Sequence, residues 1–261
     1  MSDRISDRTL EGRVALVTGA GGGVGRGIAL ALAAAGAKVT IAARRAATGE
    51  DTAAMIRGEG GTALALQTDV ARREDVEQAV AHTVEAFGGL DIMIHNASSS
   101  LSGHPAQLGE ITERAWEEQL AVGMDGSLHC AQAAFPHLKR SGHGRYVGLN
   151  SAFGLHGAGM NPVYAAGKGA LRGFIKSLAR EWGPHGITVN AIAPASSTEA
   201  ADAFFEQNPA LKDAFLRNFP MRRMGRPRQD IGGAVVAVCG SGFGYVTGQT
   251  LFVDGGLMTV L

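Results

Sequence analysis

The chain has 261 residues and is 45% apolar, which is enough to fill a substantial core and fits the size of one α/β unit. Its 24 Lys and Arg balance its 24 Asp and Glu, so composition implies neither a nucleic-acid partner nor an anionic membrane surface. Cys130 and Cys239 have no paired or metal-ligand spacing, the apolar run around 28–37 is too short to span a bilayer, and residues 1–13 carry charge without a signal-peptide core. These features predict a metal-free protein of a reducing, cytoplasmic compartment.

In chain order, apolar runs predict strands at 14–18, 38–42, 63–67, 91–95, 146–149, 188–193 and 250–253, with helical patterns between them. That alternation is the mark of a parallel sheet covered on both faces. No repeat, low-complexity tract or linker interrupts it, so residues 1–261 are expected to form one domain.

The first strand runs into Thr18-Gly19-Ala20-Gly21-Gly22-Gly23-Val24-Gly25 and then an Ala/Leu-rich stretch over 28–35. A strand, a tight turn and a helix N-terminus form a receptor for a pyrophosphate. Glycine is needed where a Cβ would block the turn or the approach of backbone to phosphate. The strict G-x-G-x-x-G spacing is absent. Thr-Gly-x-x-x-Gly-x-Gly fits on Thr18, Gly19, Gly23 and Gly25, and Gly21, Gly25 and Gly27 offer a shifted register; Thr18 at the strand end favours the first. A glycine-rich turn without a ligand is the alternative.

The stretch 151–168, S-A-F-G-L-H-G-A-G-M-N-P-V-Y-A-A-G-K, ends by starting a helix. Tyr164 and Lys168 are four residues apart and share one helix face. Bringing a phenol from about pH 10 to neutrality takes roughly 4 kcal/mol. A cation about 4 Å away at an effective dielectric of about 20 supplies an energy of that order. The pair can therefore act as a general acid/base, with the Ser151 hydroxyl bonding a substrate oxygen. Tyr-x-x-x-Lys alone is common on exposed helices, so the upstream glycine loop gives it weight.

Those three features, in that order and at those distances, resemble the short-chain dehydrogenase/reductase family in its single-domain form, over 10–256. The resemblance implies a doubly wound Rossmann fold, a seven-stranded parallel sheet with helices on both faces. It implies hydride transfer between a nicotinamide dinucleotide and a carbonyl or secondary alcohol, with Ser151, Tyr164 and Lys168 catalytic. The implied cofactor contacts are Thr18, Gly19, Gly22, Gly23, Val24, Gly25, Arg44, Asp69, Val70, Asn96, Ala97, Tyr164, Lys168, Pro194 and Thr198. A homotetramer, or a homodimer, is the implied assembly.

An acidic side chain at the end of the second strand accepts hydrogen bonds from the adenosine ribose, whereas a basic one pairs with a 2′-phosphate. By the family register Ala43 takes the acidic slot and Arg44 follows, which favours NADP(H) over NAD(H). The alternative is that Arg44 and Arg45 are solvated at a helix start and NAD binds without a ribose carboxylate. Asp69 is either the adenine contact or a helix N-cap.

Several positions depart from the family pattern. His95 and Ser98 replace the first Asn and the Gly of Asn-Asn-Ala-Gly, with Asn96 kept and His95 expected to be buried. Gly123 replaces an Asn that helps hold a water beside the lysine, and Ala195 replaces a Gly. These departures keep a non-catalytic NADP-binding or regulatory protein as one alternative; an isomerase or dehydratase that retains its cofactor is another.

The loop 98–105 is a candidate pocket wall. Leu171, Phe174, Ile175, Leu178 and Trp182 recur at helical spacing as core or subunit interface. A lid is expected over about 199–223. With Leu101, Phe153, Leu155, Met160, Phe204, Phe205, Phe215, Phe219 and Met221, it would favour an apolar ketone or alcohol, although the same aromatics could simply pack the lid down. Arg217, Arg222, Arg223, Arg226 and Arg228 are expected to be solvated or paired between subunits, with an acyl carrier as the alternative partner.

Overall fold

A computed structural model describes residues 8–197, 202 and 205–259. Seven parallel strands form one sheet in the order β3-β2-β1-β4-β5-β6-β7. They are β1 Val14–Thr18, β2 Lys38–Ala43, β3 Ala63–Gln67, β4 Ile92–His95, β5 Arg145–Leu149, β6 Thr188–Pro194 and β7 Thr250–Val253. All seven expected strands are present. No boundary moves by more than one residue; Asp91, whose carboxylate accepts from the Val14 amide at 2.8 Å, stands just before β4 and not within it.

Side chains alternate along each strand, so a continuous apolar run feeds two cores. Ala15 and Val17 of β1 join Val39, Ile41, Ile92 and Ile94 on one face. There they pack on Ile28 and Leu32 of α1 (Gly23–Ala34), Ala53 and Ile56 of α2 (Ala46–Gly58) and Val235 of a later helix. Val14 and Leu16 join Met93, Tyr146 and Val189 on the other face. The helices covering that side include α3 (Arg73–Phe87) and α5 (Gly126–Ser141). α4 (Glu113–Leu120) leads into α5 through a π-helical turn, Ala121–Asp125.

A short helix α6 (Phe153–His156) follows β5, and the long α7 (Pro162–Trp182) completes the second layer. Leu171, Ile175, Leu178 and Trp182 are its buried stripe, as their spacing predicts, and Phe174 packs at the edge of that core. Later helices include α8 (Pro209–Leu216) and α9 (Gly233–Cys239). This is the doubly wound Rossmann arrangement. Its strand order reverses between β1 and β4, and crevices at such switch points, outside the carboxyl ends of the strands, are where this architecture binds ligands.

Candidate active site

The glycine loop after β1 is shaped by close approach. Gly19 has φ of 64°, and a Cβ there would lie 2.8 Å from the Ala97 Cα. A Cβ on Gly25 would come within 2.4 Å of both Asn96 Nδ2 and the Gly19 carbonyl oxygen. Asn96 braces the loop, donating from Nδ2 to the carbonyl oxygens of Thr18 (3.0 Å) and Gly19 (3.1 Å). Thr18 differs from its expected place. Its side chain is fully buried, and its hydroxyl accepts from the amides of Asn96 and Ala97 at 3.1 Å, so it ties β1 to β4 and has no surface left for a ligand.

Beside this loop lies a cleft of about 490 Å³, lined by Gly19, Gly21, Gly22, Val24, Gly25, Asp69, Val70, Asn96 and Ala97 among others. At Gly22 a Cβ would meet no protein atom within 4 Å, and the first turn of α1 carries no side-chain cap. A cradle of open backbone at an uncapped helix N-terminus fits a pyrophosphate. The far end holds Ala43, Arg44, Arg45, Thr48 and Arg26. Arg26 donates to the Gly21 carbonyl oxygen (2.7 Å) and the Thr52 hydroxyl (3.1 Å), lacing the loop to α2. Sequence reasoning missed Arg26 and Thr48; the signal available was their position one turn into helices that open on the cleft. Asp69 is no N-cap, since Arg72 holds that position, and its carboxylate instead accepts from the Ala71 amide at 3.1 Å.

Ser151, Tyr164 and Lys168 come together next to this cleft. Ser151 follows β5, and Asn150 Oδ1 fixes its backbone by accepting its amide at 2.8 Å. Tyr164 stands in the first turn of α7, where Pro162 starts the helix and carries no N–H that would need a partner. The Ser151 side chain lies near enough to favour ionisation of the Tyr164 phenol, and the Ser151 hydroxyl oxygen accepts from the Phe153 amide at 3.2 Å. Lys168, one turn later, is buried, and its ammonium donates to the Leu149 carbonyl oxygen at 2.5 Å. The ammonium lies 5.5 Å from the centre of the Tyr164 ring.

The protonation states differ from the simplest expectation. Burial raises the Tyr164 phenol above its ordinary value, and the Ser151 hydrogen bond offsets this in part. Burial pulls Lys168 down to about 8. The cation is present, but it is directed at a β5 carbonyl and does not bring the phenol to neutrality in the ligand-free protein. His95 is buried, as expected. Loss of hydration, followed by repulsion from Lys168, holds it at about 3. Its Nε2 lies 3.2 Å from the Gly123 carbonyl oxygen, which can only accept, so the neutral ring carries its proton on Nε2.

A small cavity of about 20 Å³ is lined by Tyr164, Lys168, Gln119, Gly123, Ala97 and Ser98 among others. Ala97 and Ser98 line the large cleft as well, so one wall separates the phenol from the candidate dinucleotide site.

A family model described as Enoyl-(Acyl carrier protein) reductase matches residues 19–258. The Short-chain reductase protein NovJ of Streptomyces niveus is 38% identical over 248 residues, covering 93% of each chain. The chain belongs to the short-chain dehydrogenase/reductase family. An A-factor type gamma-butyrolactone 1′-reductase of Streptomyces virginiae is 33% identical over 98% of each chain. The crystal structure of a protein from Sinorhizobium meliloti 1021, assigned as a short-chain alcohol dehydrogenase, superposes with a TM-score of 0.88 at 36% identity, covering 95% of this chain and 97% of that one. As a short-chain dehydrogenase/reductase, the protein is an NAD(P)-dependent oxidoreductase of CH–OH and C=O groups.

Other short-chain dehydrogenase/reductase expectations meet the structure as follows. Pro194 ends β6 beside Val253 and is not among the cleft-lining residues; Thr198 and Phe204 lie outside the described residues. The base of the 198–224 segment is closed by the Ser196–Gly225 bridge, with the Ser197 amide on the Gly225 carbonyl oxygen at 2.9 Å. The basic cluster pairs within the chain. Arg223 grips Asp230 at 2.6 and 2.9 Å, Arg228 grips Glu59 at 2.7 and 2.6 Å, and Arg222 caps the Arg217 carbonyl oxygen at 2.7 Å. Among the described residues no helix is long and apolar enough to cross a membrane.

Proposed function

We propose that the protein is an NADP(H)-dependent reductase of an apolar ketone, working reversibly on the matching secondary alcohol. The observation that carries this reading is the Ser151–Tyr164–Lys168 group abutting the glycine-loop cleft through Ala97 and Ser98. A bound nicotinamide dinucleotide would supply the hydride. Tyr164 donates its proton to the carbonyl oxygen as the carbon is reduced, and takes a proton from the alcohol in reverse. Its raised pKa suits the role of acid, because the phenol is protonated at neutral pH. Ser151, beside that phenol, holds the substrate oxygen next to it. Lys168, charged below its pKa of about 8, stabilises the phenolate left when the proton departs.

Gly19, Gly22, Gly23, Val24 and Gly25 would hold the pyrophosphate, Asp69 and Val70 the adenine end, and Asn96 and Ala97 the nicotinamide end. Ala43 leaves no carboxylate at the end of β2, and Arg44, exposed there, gives a 2′-phosphate its counter-charge. Phe153 and Met160, each more than 40% exposed and both shortly before Tyr164 in the chain, favour an apolar substrate, as do the exposed Phe215 and Met221. One catalytic domain over 1–261, a cytoplasmic setting and a homotetrameric or homodimeric assembly complete the proposal; sedimentation measures the last.

Tyr164→Phe tests the assignment. It is expected to leave NADPH affinity nearly intact while turnover with ketones falls by two orders of magnitude or more. Equal turnover would remove Tyr164 from the mechanism.

A further inference from the structure

Phe153 is held against the catalytic group by its own backbone and by that of its neighbour. Its amide donates to the Ser151 hydroxyl oxygen at 3.2 Å. Its ring stands perpendicular to the Tyr164 ring, with centroids 6.3 Å apart and planes at 90°. Gly154 then presses α6 onto α7. A Cβ there would lie 2.6 Å from the Lys168 carbonyl carbon and 2.8 Å from the Gly169 amide nitrogen, so backbone meets backbone and α6 has no room to slide.

The ring is anchored and still open. His156 meets it at 5.8 Å with planes at 80°, yet Phe153 remains 41% exposed. Met160, before the start of α7, is 48% exposed and has φ of 65°, a left-handed backbone that a residue with a side chain rarely adopts. Two bonds hold it there. The Met160 carbonyl oxygen accepts from the Ala106 amide at 2.7 Å, and Asn161 Nδ2 donates to the Ser102 carbonyl oxygen at 2.9 Å, which clamps the loop after β4 to the entrance of α7. Strain of this kind persists where the surroundings over-determine it, and it clusters where ligands bind.

We propose that Phe153 and Met160 recognise an aryl group, so that the substrate is a ketone carrying a benzenoid ring close to its carbonyl, or the matching secondary alcohol; this rests on the reductase reading and names its substrate class. Any apolar wall would cover an alkyl group as well as an aryl group of the same size. An aryl ring gains more here, because its positive edge can meet the negative face of a ring already fixed in place, or the reverse. The polarisable Met160 thioether adds a second contact that favours a ring. Since Phe153 is fixed before the ligand arrives, little ordering is lost on binding. Its contact with Tyr164 sets the aryl group beside the proton donor.

Phenylacetone and cyclohexylacetone test it, being matched in size, with a methylene that insulates each carbonyl from its ring. Wild type should prefer the phenyl ketone about tenfold in kcat/KM. Phe153→Leu should bring that ratio close to one, Met160→Ala should lower it about threefold, and Phe153→Tyr, which keeps the ring, should retain it. A loss of activity common to both ketones cancels in the ratio. A wild-type ratio near one overturns the proposal, and so does a preference that survives Phe153→Leu. The matching alcohols, titrated calorimetrically into the wild-type NADPH complex, where the hydride is already on the cofactor and no reaction follows, need neither a variant nor turnover. The phenyl alcohol should bind about tenfold tighter; equal affinity, or no binding of either, overturns the proposal. Preferential binding without turnover of either ketone brings down the reductase reading and leaves the aryl site standing, whereas turnover without preference does the opposite.

Discussion

Lys168 gives an ammonium proton to the Leu149 carbonyl oxygen, and among the described residues no carboxylate pairs with it. Burial of that uncompensated charge is what depresses its pKa from 10.5 to about 8. The shift amounts to roughly 3 kcal/mol of destabilisation. Below pH 8 the lysine is protonated in both folded and unfolded chains and the cost is fully present; above 10.5 it is neutral in both and the cost is gone. Lys168→Met, which leaves the Leu149 carbonyl unpaired, should therefore be more stable than wild type at pH 7 by ~2 kcal/mol, with the gap closing by pH 10. Urea denaturation of both proteins across that range measures it, and parallel stability curves would contradict it.

Tyr164 should resist ionisation. Because burial outweighs the Ser151 hydrogen bond, its phenol lies above 10 in the cofactor-free protein. The difference in phenolate absorbance between wild type and Tyr164→Phe should accordingly show less ionisation of this residue at pH 10 than a free phenol has, and none near neutrality. A phenolate signal near pH 7 or 8 would mean that Lys168 dominates after all.

Cofactor choice should follow Arg44. An exposed guanidinium at the end of β2 contributes to binding only when a phosphate is there to accept from it. Arg44→Ala is expected to weaken NADPH about tenfold, ~1.4 kcal/mol, and to leave NADH within twofold. Titration calorimetry with both nucleotides reads the ratio, and an unchanged ratio removes the 2′-phosphate assignment.

Gly25 and Gly22 should separate folding from binding. A Cβ at Gly25 would be driven to 2.4 Å from the amide that braces the loop, so Gly25→Ala should cost about 1–3 kcal/mol and lower the Tm. At Gly22 the backbone is extended, with φ of −174°, and a Cβ meets only the open cleft. Gly22→Ala should keep the wild-type Tm and weaken dinucleotide binding several-fold. Intact binding in Gly22→Ala would mean that the pyrophosphate lies elsewhere.

Local rules were sufficient for the sheet. Strand runs such as Val14–Val17 are apolar at every position because both faces are buried, and turn chemistry punctuates them, so seven strands and the glycine turn could be read directly. The pairing of Tyr164 with Lys168 was equally legible, since α-helical spacing alone puts them on one face. What the phenol does with its proton was not. Its pKa is set by how far folding removes it from water, and the direction of the Lys168 ammonium is set by a carbonyl on β5, nineteen residues away in the chain.

Thr18 shows the same division. Its place at the strand end marked the motif, yet its hydroxyl accepts from the Asn96 and Ala97 amides just beyond β4 and its side chain is buried. The basic cluster over 217–228 was expected to be solvated or paired between subunits, whereas folding brings Glu59 and Asp230 of the same chain to it. Gln119 had no local signature at all. Only the passage of a π turn beside α7 puts its amide at the cavity, because spacing along a chain fixes neighbours on one element, whereas contacts between elements depend on where the sheet carries each of them.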